Sequence, residues 1–239
     1  MGKPLHTQRR GKGSPAFRTP KHRFKGDSKY RTYDEKDKGK VCGKVINLID
    51  DPGRDAILAK VMFETKEVVL IPACESIALG QIIEEGYDAS LKVGNILPLE
   101  KIPEGYPVCN IEVKPGDGGS LVRSSGGCAF IISKTPEGVE VQLPSGKKKV
   151  FDGKCRATIG CIAGGERTEK PLLKAGNAYY KYHARNRLWP VVRGNKMSAY
   201  DHPFGGKQHH GAITIKKVGG APGQHVGSFG AKRTGRRKR

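Results

Sequence analysis

Residues 41–72 read Val41-Cys42-Gly43-Lys44-Val45-Ile46-Asn47-Leu48-Ile49, then Asp50-Asp51-Pro52-Gly53-Arg54-Asp55, then Ala56-Ile57-Leu58-Ala59-Lys60-Val61-Met62-Phe63, Glu64-Thr65-Lys66, and Glu67-Val68-Val69-Leu70-Ile71-Pro72. These are short apolar runs rich in β-branched residues, cut by turn chemistry. Asp50-Asp51-Pro52-Gly53 joins side chains that bond their own backbone to a fixed φ and a residue free to take positive φ. Glu64-Thr65-Lys66 leaves room for little more than a turn, so the runs on either side of it predict a hairpin. Further apolar pieces at 77–83, 91–97 and 106–113 continue the series at the spacing of a small barrel.

A second series follows a Gly-rich stretch at 115–127. Its members are residues 128–133, 139–143, 148–151 and 155–162. The links Thr135-Pro136-Glu137-Gly138, Pro144-Ser145-Gly146 and Asp152-Gly153-Lys154 all have turn composition. The pattern predicts an all-β middle built as two tandem small barrels, residues 41–114 and 128–193, joined by the linker 115–127. A single long sandwich fits less well, because the Gly-rich stretch interrupts the alternation. Helix is expected only over residues 170–178.

Charge is distributed unevenly. The chain has 44 Lys and Arg against 23 Asp and Glu, a formal net of +21. Residues 1–40 carry a net of +9, residues 41–165 a net of −2 and residues 166–239 a net of +14. The excess lies wholly outside the middle, which reads as an ordinary folded body between two basic extensions, 1–40 and 194–239. A polyanion is the usual partner of such ends. In the first, Arg9, Arg10, Arg18, Arg23 and Lys25 are the candidate contacts to nucleic-acid phosphate. Phe17 and Phe24 among them can stack on bases or pack on the protein's own domain. In the second, Gly allows close backbone approach to a folded RNA, and Lys207, His209, Arg233, Arg236 and Arg237 supply donors.

Other classes are excluded or disfavoured. No apolar run approaches the ~20 residues of a membrane span. Met1-Gly2-Lys3-Pro4-Leu5 has no apolar stretch behind it, so no secretory signal is expected. His6 stands where a myristoylation motif needs Ser or Thr. Six cysteines, Cys42, Cys74, Cys109, Cys128, Cys155 and Cys161, include no C-x-x-C pair. They read as buried reduced thiols rather than a disulfide framework or a zinc site. No cofactor or metal is expected. The Gly-rich stretch lacks G-x-x-x-x-G-K-[ST], so nucleotide hydrolysis is not indicated. Its backbone N–H groups and Arg123 can instead cradle phosphate, or the stretch can serve simply as a linker.

The densest recognition candidate is Tyr179-Tyr180-Lys181-Tyr182-His183-Ala184-Arg185-Asn186-Arg187-Leu188-Trp189-Pro190, followed by Arg193. Aromatics interleaved with cations can stack on splayed bases while guanidinium groups take phosphate. Trp189 is expected to be structural and Tyr179 can belong to the second core. Lys181, Arg185, Arg187 and Arg193 are expected on RNA.

Four segments in order resemble one family. They are Ser14-Pro15-Ala16-Phe17-Arg18; Val113-Lys114-Pro115-Gly116-Asp117-Gly118-Gly119-Ser120-Leu121-Val122-Arg123-Ser124-Ser125-Gly126; Cys155-Arg156-Ala157-Thr158-Ile159-Gly160; and Val192-Arg193-Gly194-Asn195-Lys196-Met197-Ser198-Ala199-Tyr200-Asp201-His202-Pro203-Phe204-Gly205-Gly206. The family is the universal second protein of the large ribosomal subunit, in its archaeal and eukaryotic branch, and the resemblance spans essentially the whole chain. It implies an OB-type barrel followed by an SH3-like barrel, with long irregular basic extensions threading ribosomal RNA. It also implies a cytoplasmic, ribosomal location, large-subunit rRNA and neighbouring large-subunit proteins as partners, small-subunit rRNA at a subunit bridge, and proximity to tRNA. Arg156 joins the RNA-contact candidates through its motif. Bacterial-type members carry a second His where this chain has Phe204, and Lys207-Gln208-His209-His210 departs from their tail.

The segment 201–203 matches the part of the family that points toward the peptidyl-transferase centre. His202 invites a catalytic reading, as a general base in peptide-bond formation. Its sequence neighbours supply no acid–nucleophile pair, so the favoured role is RNA contact or loop order, and the chain is expected not to be an enzyme. His202, His209 and His210 fix no metal geometry in a Gly-rich loop.

Overall fold

The computed structural model describes residues 2–32 and 39–206. Residues 19–185 make one unit, and residues 2–18 with 186–206 belong to a second. In the larger unit, the strands form one continuous sheet in the order β3-β2-β1-β4-β5-β10-β6-β7-β8-β9. They are β1 (Lys40–Ile49), β2 (Leu58–Phe63), β3 (Val68–Pro72), β4 (Ile82–Gly86), β5 (Ile96–Pro98), β6 (Pro107–Cys109), β7 (Ala129–Thr135), β8 (Gly138–Gln142), β9 (Lys148–Phe151) and β10 (Arg156–Ile159). All neighbours are antiparallel except β4 and β5, which meet in parallel at Glu85 and Ile96.

The predicted hairpin is β2–β3, turning through Lys66 at φ 64°. β1 is long enough to serve two neighbours. Residues 43–49 pair with β2 and residues 40–44 with β4, and a register shift between Val45 and Asn47 bends the strand between them. The β7–β8 turn needs Gly138, which sits at φ 148°; a Cβ there would lie 2.3 Å from the Phe151 carbonyl oxygen. Four strands, β4, β5, β6 and β10, are shorter than the apolar runs 77–83, 91–97, 106–113 and 155–162 suggested. Residues 77–81 turn instead, with the Ala78 N–H donating to Gln81 Oε1 at 3.0 Å and Gly80 at φ 82°.

Two cores lie along this sheet. The first gathers Tyr30, Val45, Val61, Phe63, Ile71, Ile83 and Ile96. The second gathers Leu97, Leu99, Ile102, Val108, Ile111, Ile131, Val141, Phe151 and Ile159. The chain is all-β with an OB-type barrel followed by an SH3-like barrel. Consecutive side chains of a strand point to opposite faces, so Ile96 and Leu97 on β5 feed different cores. β5 thus serves both cores, ahead of the Gly-rich stretch 115–127. The N-terminal extension expected over 1–40 is shortened. Ser28 bridges Leu70, Lys29 N donates to the Leu70 carbonyl at 3.1 Å, and Tyr30 is buried in the first core. Cys74 and Cys109 lie in a small cluster with Ala56 and Ile162, their sulfurs 3.4 Å apart. All six cysteines are free, and burial pushes the Cys155 and Cys161 thiols up to about 11, so they pack as small protonated side chains.

One polar cluster crosses the apolar interior. The Arg156 guanidinium, on β10, donates to Glu112 at 2.7 and 3.1 Å, to Glu85 of β4 at 2.6 Å and to the Arg31 carbonyl at 2.9 Å. Its backbone N–H donates to the other Glu112 oxygen at 2.9 Å. The Tyr30 ring lies 5.3 Å from the guanidinium, and the Tyr30 hydroxyl sits 2.6 Å from both the Asn110 carbonyl and Thr158. Burial pushes the Glu85 carboxyl above the usual range, against the pull of Arg156. Arg156 was expected on RNA. It is 5 % exposed and its fork is engaged internally, so its work is to join the two barrels and residues 30–31. Arg156→Met leaves two carboxylates buried without their cation and is expected to destabilise the chain by about 3–5 kcal/mol. Arg156→Lys is expected to lose much of the same, since an ammonium cannot reproduce the fork. Urea unfolding of the full chain measures both, and a loss below about 1 kcal/mol for Arg156→Met contradicts this role.

Candidate nucleic-acid interface

The Gly-rich stretch does not present an open phosphate cradle. Its N–H groups turn inward, some to carboxylates of the same chain and others, such as those of Ser120, Leu121 and Gly126, to backbone carbonyls. Gly118 and Gly116 donate to Glu112 at 3.0 and 3.3 Å, and Gly119 and Val113 donate to Asp117 at 2.9 Å. Arg123, expected to hold phosphate, donates to the carbonyls of Gly119 at 2.9 Å and Ser28 at 2.6 Å, and so clasps the loop to the N-terminal segment. Carboxylates close by occupy the donors that an RNA phosphate would need.

In the same unit, Phe24 packs on its own domain. Its ring lies 4.6 Å from the Arg54 guanidinium and against Gly53, where an added Cβ would fall 2.7 Å from the ring. Arg54 is itself held by Asp51 and by the Gly26 carbonyl. Arg23 is half-buried beside this packing, and Lys25 is exposed.

The strongest recognition surface is helix α2 (Ala175–His183), which forms five residues later than the expected 170–178. Residues three or four apart share a helix face. Ala178 is buried and Tyr182 half-buried, on the side that carries on to Arg185. Arg185 makes a two-pronged pair with Asp55, at 2.6 and 2.8 Å, and Arg167 reaches the same carboxylate at 3.3 Å. Arg185, expected on RNA, is thus the bolt that fastens α2 to the first barrel. The opposite side carries Tyr179, Tyr180 and His183. Tyr180 is 73 % exposed, Tyr179 meets it edge-on at 5.5 Å, and His183 stacks on Tyr179 at 5.6 Å. Tyr179 is therefore a surface residue, not a member of the second core. The four-residue spacing of Tyr179 and His183 was a readable signal for this aromatic face. Asp55, which sits in a turn signal, gave none. Lys181 is half-buried at its edge.

The second unit is built from the first residues and the 186–206 segment. Helix α1 (His6–Gly11) buries none of its residues, so Arg9 and Arg10 are exposed along it. Arg18 donates to the Gly13 carbonyl at 2.8 Å, and the Arg18 carbonyl accepts from Asn186 at 2.7 Å. Lys3 binds Asp201 at 3.0 Å, and its backbone N–H donates to the Tyr200 carbonyl at 3.0 Å. Sequence reading missed this link between the two ends. Arg187 and Arg193 are exposed. The His202 Nδ1 accepts from the Phe204 N–H at 3.1 Å, and its ring lies so close to Gly194 that a Cβ there would sit 2.3 Å away. No carboxylate hydrogen-bonds His202 among the described residues. Lys207, His209, Arg233, Arg236 and Arg237 lie outside the described residues. So does the histidine spacing once weighed for metal, and among the described residues no cluster of His, Cys, Asp or Glu is arranged to hold an ion.

The hydrogen bond from Arg185 holds the Asp55 carboxyl below its usual range, with Arg167 and Lys181 adding to the effect. A depressed carboxyl stabilises above its ordinary pKa, about 3.9, and loses that contribution as pH falls through the folded value. Hydrogen exchange should show amides 175–185 protected at neutral pH and progressively released as the medium drops below about pH 4. Asp55→Asn should release them already at pH 7. Unchanged protection in that variant would show that α2 is held by something else.

Comparison with known families is direct. A family model described as "Ribosomal Proteins L2, RNA binding N-terminal domain" matches residues 2–85, and one described as "Ribosomal Proteins L2, C-terminal domain" matches residues 92–225. Among curated proteins, the chain is 50 % identical over 244 residues to the large ribosomal subunit protein uL2 of Methanocaldococcus jannaschii, covering 100 % of both chains. It is 49 % identical over 239 residues to the uL2 of Methanopyrus kandleri, covering 99 % of this chain and 98 % of that one. With the uL2 of Methanothermobacter thermautotrophicus it shares 48 % identity over 241 residues, covering 100 % of both.

Proposed function

Because the chain belongs to the ribosomal protein L2 family, we propose that it is a structural, rRNA-binding component of the large ribosomal subunit. The observation that carries this reading within the structure is the exposed aromatic face of α2, and the sequence adds an excess of cations over 166–239. Bases splayed from a folded RNA stack on Tyr180 and the Tyr179–His183 pair. The exposed Arg9, Arg10, Lys25, Arg187 and Arg193, with half-buried Lys181, Arg23 and His202, take phosphate or sugar. Arg18 adds to them where its Gly13 bond leaves donors free. The tail cations Lys207, His209, Arg233, Arg236 and Arg237 extend the same contact. Arg123, Arg156 and Arg185 support the scaffold that presents these groups.

The protein acts by architecture rather than by catalysis. His202 uses Nδ1 as an acceptor within its own turn, a role in ordering the loop. That supports RNA contact by the 201–203 segment near the peptidyl-transferase region and leaves the general-base reading without a partner group. A position in cytoplasmic ribosomes, with large-subunit proteins alongside, small-subunit rRNA at a bridge and tRNA nearby, follows from the same reading.

Binding to a large-subunit rRNA transcript should be strongly salt-dependent. Six to ten phosphate contacts correspond to a fall of about 10³–10⁵-fold between 50 and 200 mM salt. Tyr180→Ala should cost about 1–3 kcal/mol for one stacked base and leave the salt slope unchanged. A flat salt response, or equal affinity for duplex DNA at matched salt, contradicts this function. In subunits reconstituted with His202→Ala, assembly or subunit association should suffer before peptidyl transfer. Loss of peptidyl transfer in normally assembled subunits would reverse that assignment.

A further inference from the structure

Within the smaller unit, the first residues and the 192–201 segment enclose a cavity of about 470 Å³. That lies within the ~300–1,000 Å³ of sites that take a small molecule. Its lining combines cationic side chains, Lys3, Arg9 and Lys196 with His6, and apolar ones, Pro4, Val192 and Met197. A second space of about 220 Å³ shares Val192 and Met197 and adds Leu188 and Pro190 to the apolar lining. The one carboxylate at the cavity, Asp201, is already engaged by the Lys3 ammonium at 3.0 Å and the Ser198 hydroxyl at 2.9 Å. Those two contacts hold its carboxyl below the usual range. Neither Arg9 nor Lys196 has a side-chain hydrogen bond among the described residues, and Asp201 acts on Arg9 only at longer range. The cavity thus offers uncommitted positive charge together with apolar surface. A bare phosphate has no use for the apolar lining, and an apolar ligand would strip water from cations without replacing it. A nucleotide satisfies both, but only one whose base has left its stack, since a paired base cannot enter a recess.

We propose that this cavity binds a single unstacked nucleotide of RNA, its base against Val192 and Met197 and its phosphate between Arg9 and Lys196. The inference rests on the RNA-binding reading above and sharpens it to one subsite.

The test uses the full chain and a transcript of archaeal large-subunit rRNA. Val192→Trp fills the cavity and should weaken binding about tenfold with an unchanged salt slope. Arg9→Ala with Lys196→Ala should weaken binding and lower the slope by about 0.7, the release expected for one single-stranded phosphate. Photo-methionine at Met197 should crosslink to one nucleotide, which gives a readout that does not depend on how Val192→Trp folds. Native affinity in a folded Val192→Trp chain, or crosslinks from Met197 that are absent or scattered over many positions, overturns the proposal. If Tyr180→Ala still weakens binding in that event, RNA binding stands and only the subsite falls. If the native chain shows no preference for the rRNA, both fall together.

Discussion

A guanidinium buried among two carboxylates, a carbonyl and a tyrosine ring holds the larger unit together. Desolvating three charges costs several kcal/mol each, and only near-complete pairing offsets that. Arg156 meets the condition because its donors reach three separate segments: Glu85 of the first barrel, Glu112 before the Gly-rich stretch, and the Arg31 carbonyl. The two small barrels share a strand, β5, and a small apolar cluster of Ala56, Cys74, Cys109 and Ile162. A directional ionic knot can fix their join. The Gly-rich stretch is shaped by the same knot, since its N–H groups complete the coordination of Glu112.

This divides the basic residues by purpose. Arg54, Arg123, Arg156 and Arg185 find acceptors on the protein, and each ties a loop, a helix or a strand into place. Exposed cations also dot the barrels, Lys147, Lys148 and Lys149 among them, but α1 and residues 187–193 carry theirs on segments with little core of their own. The near-neutral balance of residues 41–165 comes from composition, 14 cations against 16 carboxylates. The unmatched charge is therefore carried by the ends, where a polyanion can reach it.

Helix α2 shows how position and recognition are separated on a single element. Its inward side docks through Ala178, Tyr182 and the two-pronged Arg185–Asp55 pair, which fixes rotation as well as location. Its outward side is then free to hold aromatic rings edge-on and stacked in a fixed array. Rings held in that way lose little freedom when a base is added, which favours stacking as the mode of contact.

The sequence by itself determined the all-β class, the two barrels, the β2–β3 hairpin and the concentration of positive charge at the ends, because period-two patterning, turn residues and formal charge are local properties. The family was legible for the same reason, in four motifs of fixed order. Which cations are available was decided only by tertiary structure. Arg156 and Lys25 look alike in one dimension, and what separates them is whether carboxylates from residues 44 and 71 positions away converge on the side chain. The double service of β5 escaped for a related reason, since a strand whose two faces feed two cores carries no break in its apolar pattern. The outward turn of Tyr179 depended on Asp55, a partner 130 residues from Arg185, and the reach of a long-range ion pair is set by the fold rather than by anything beside it in the chain.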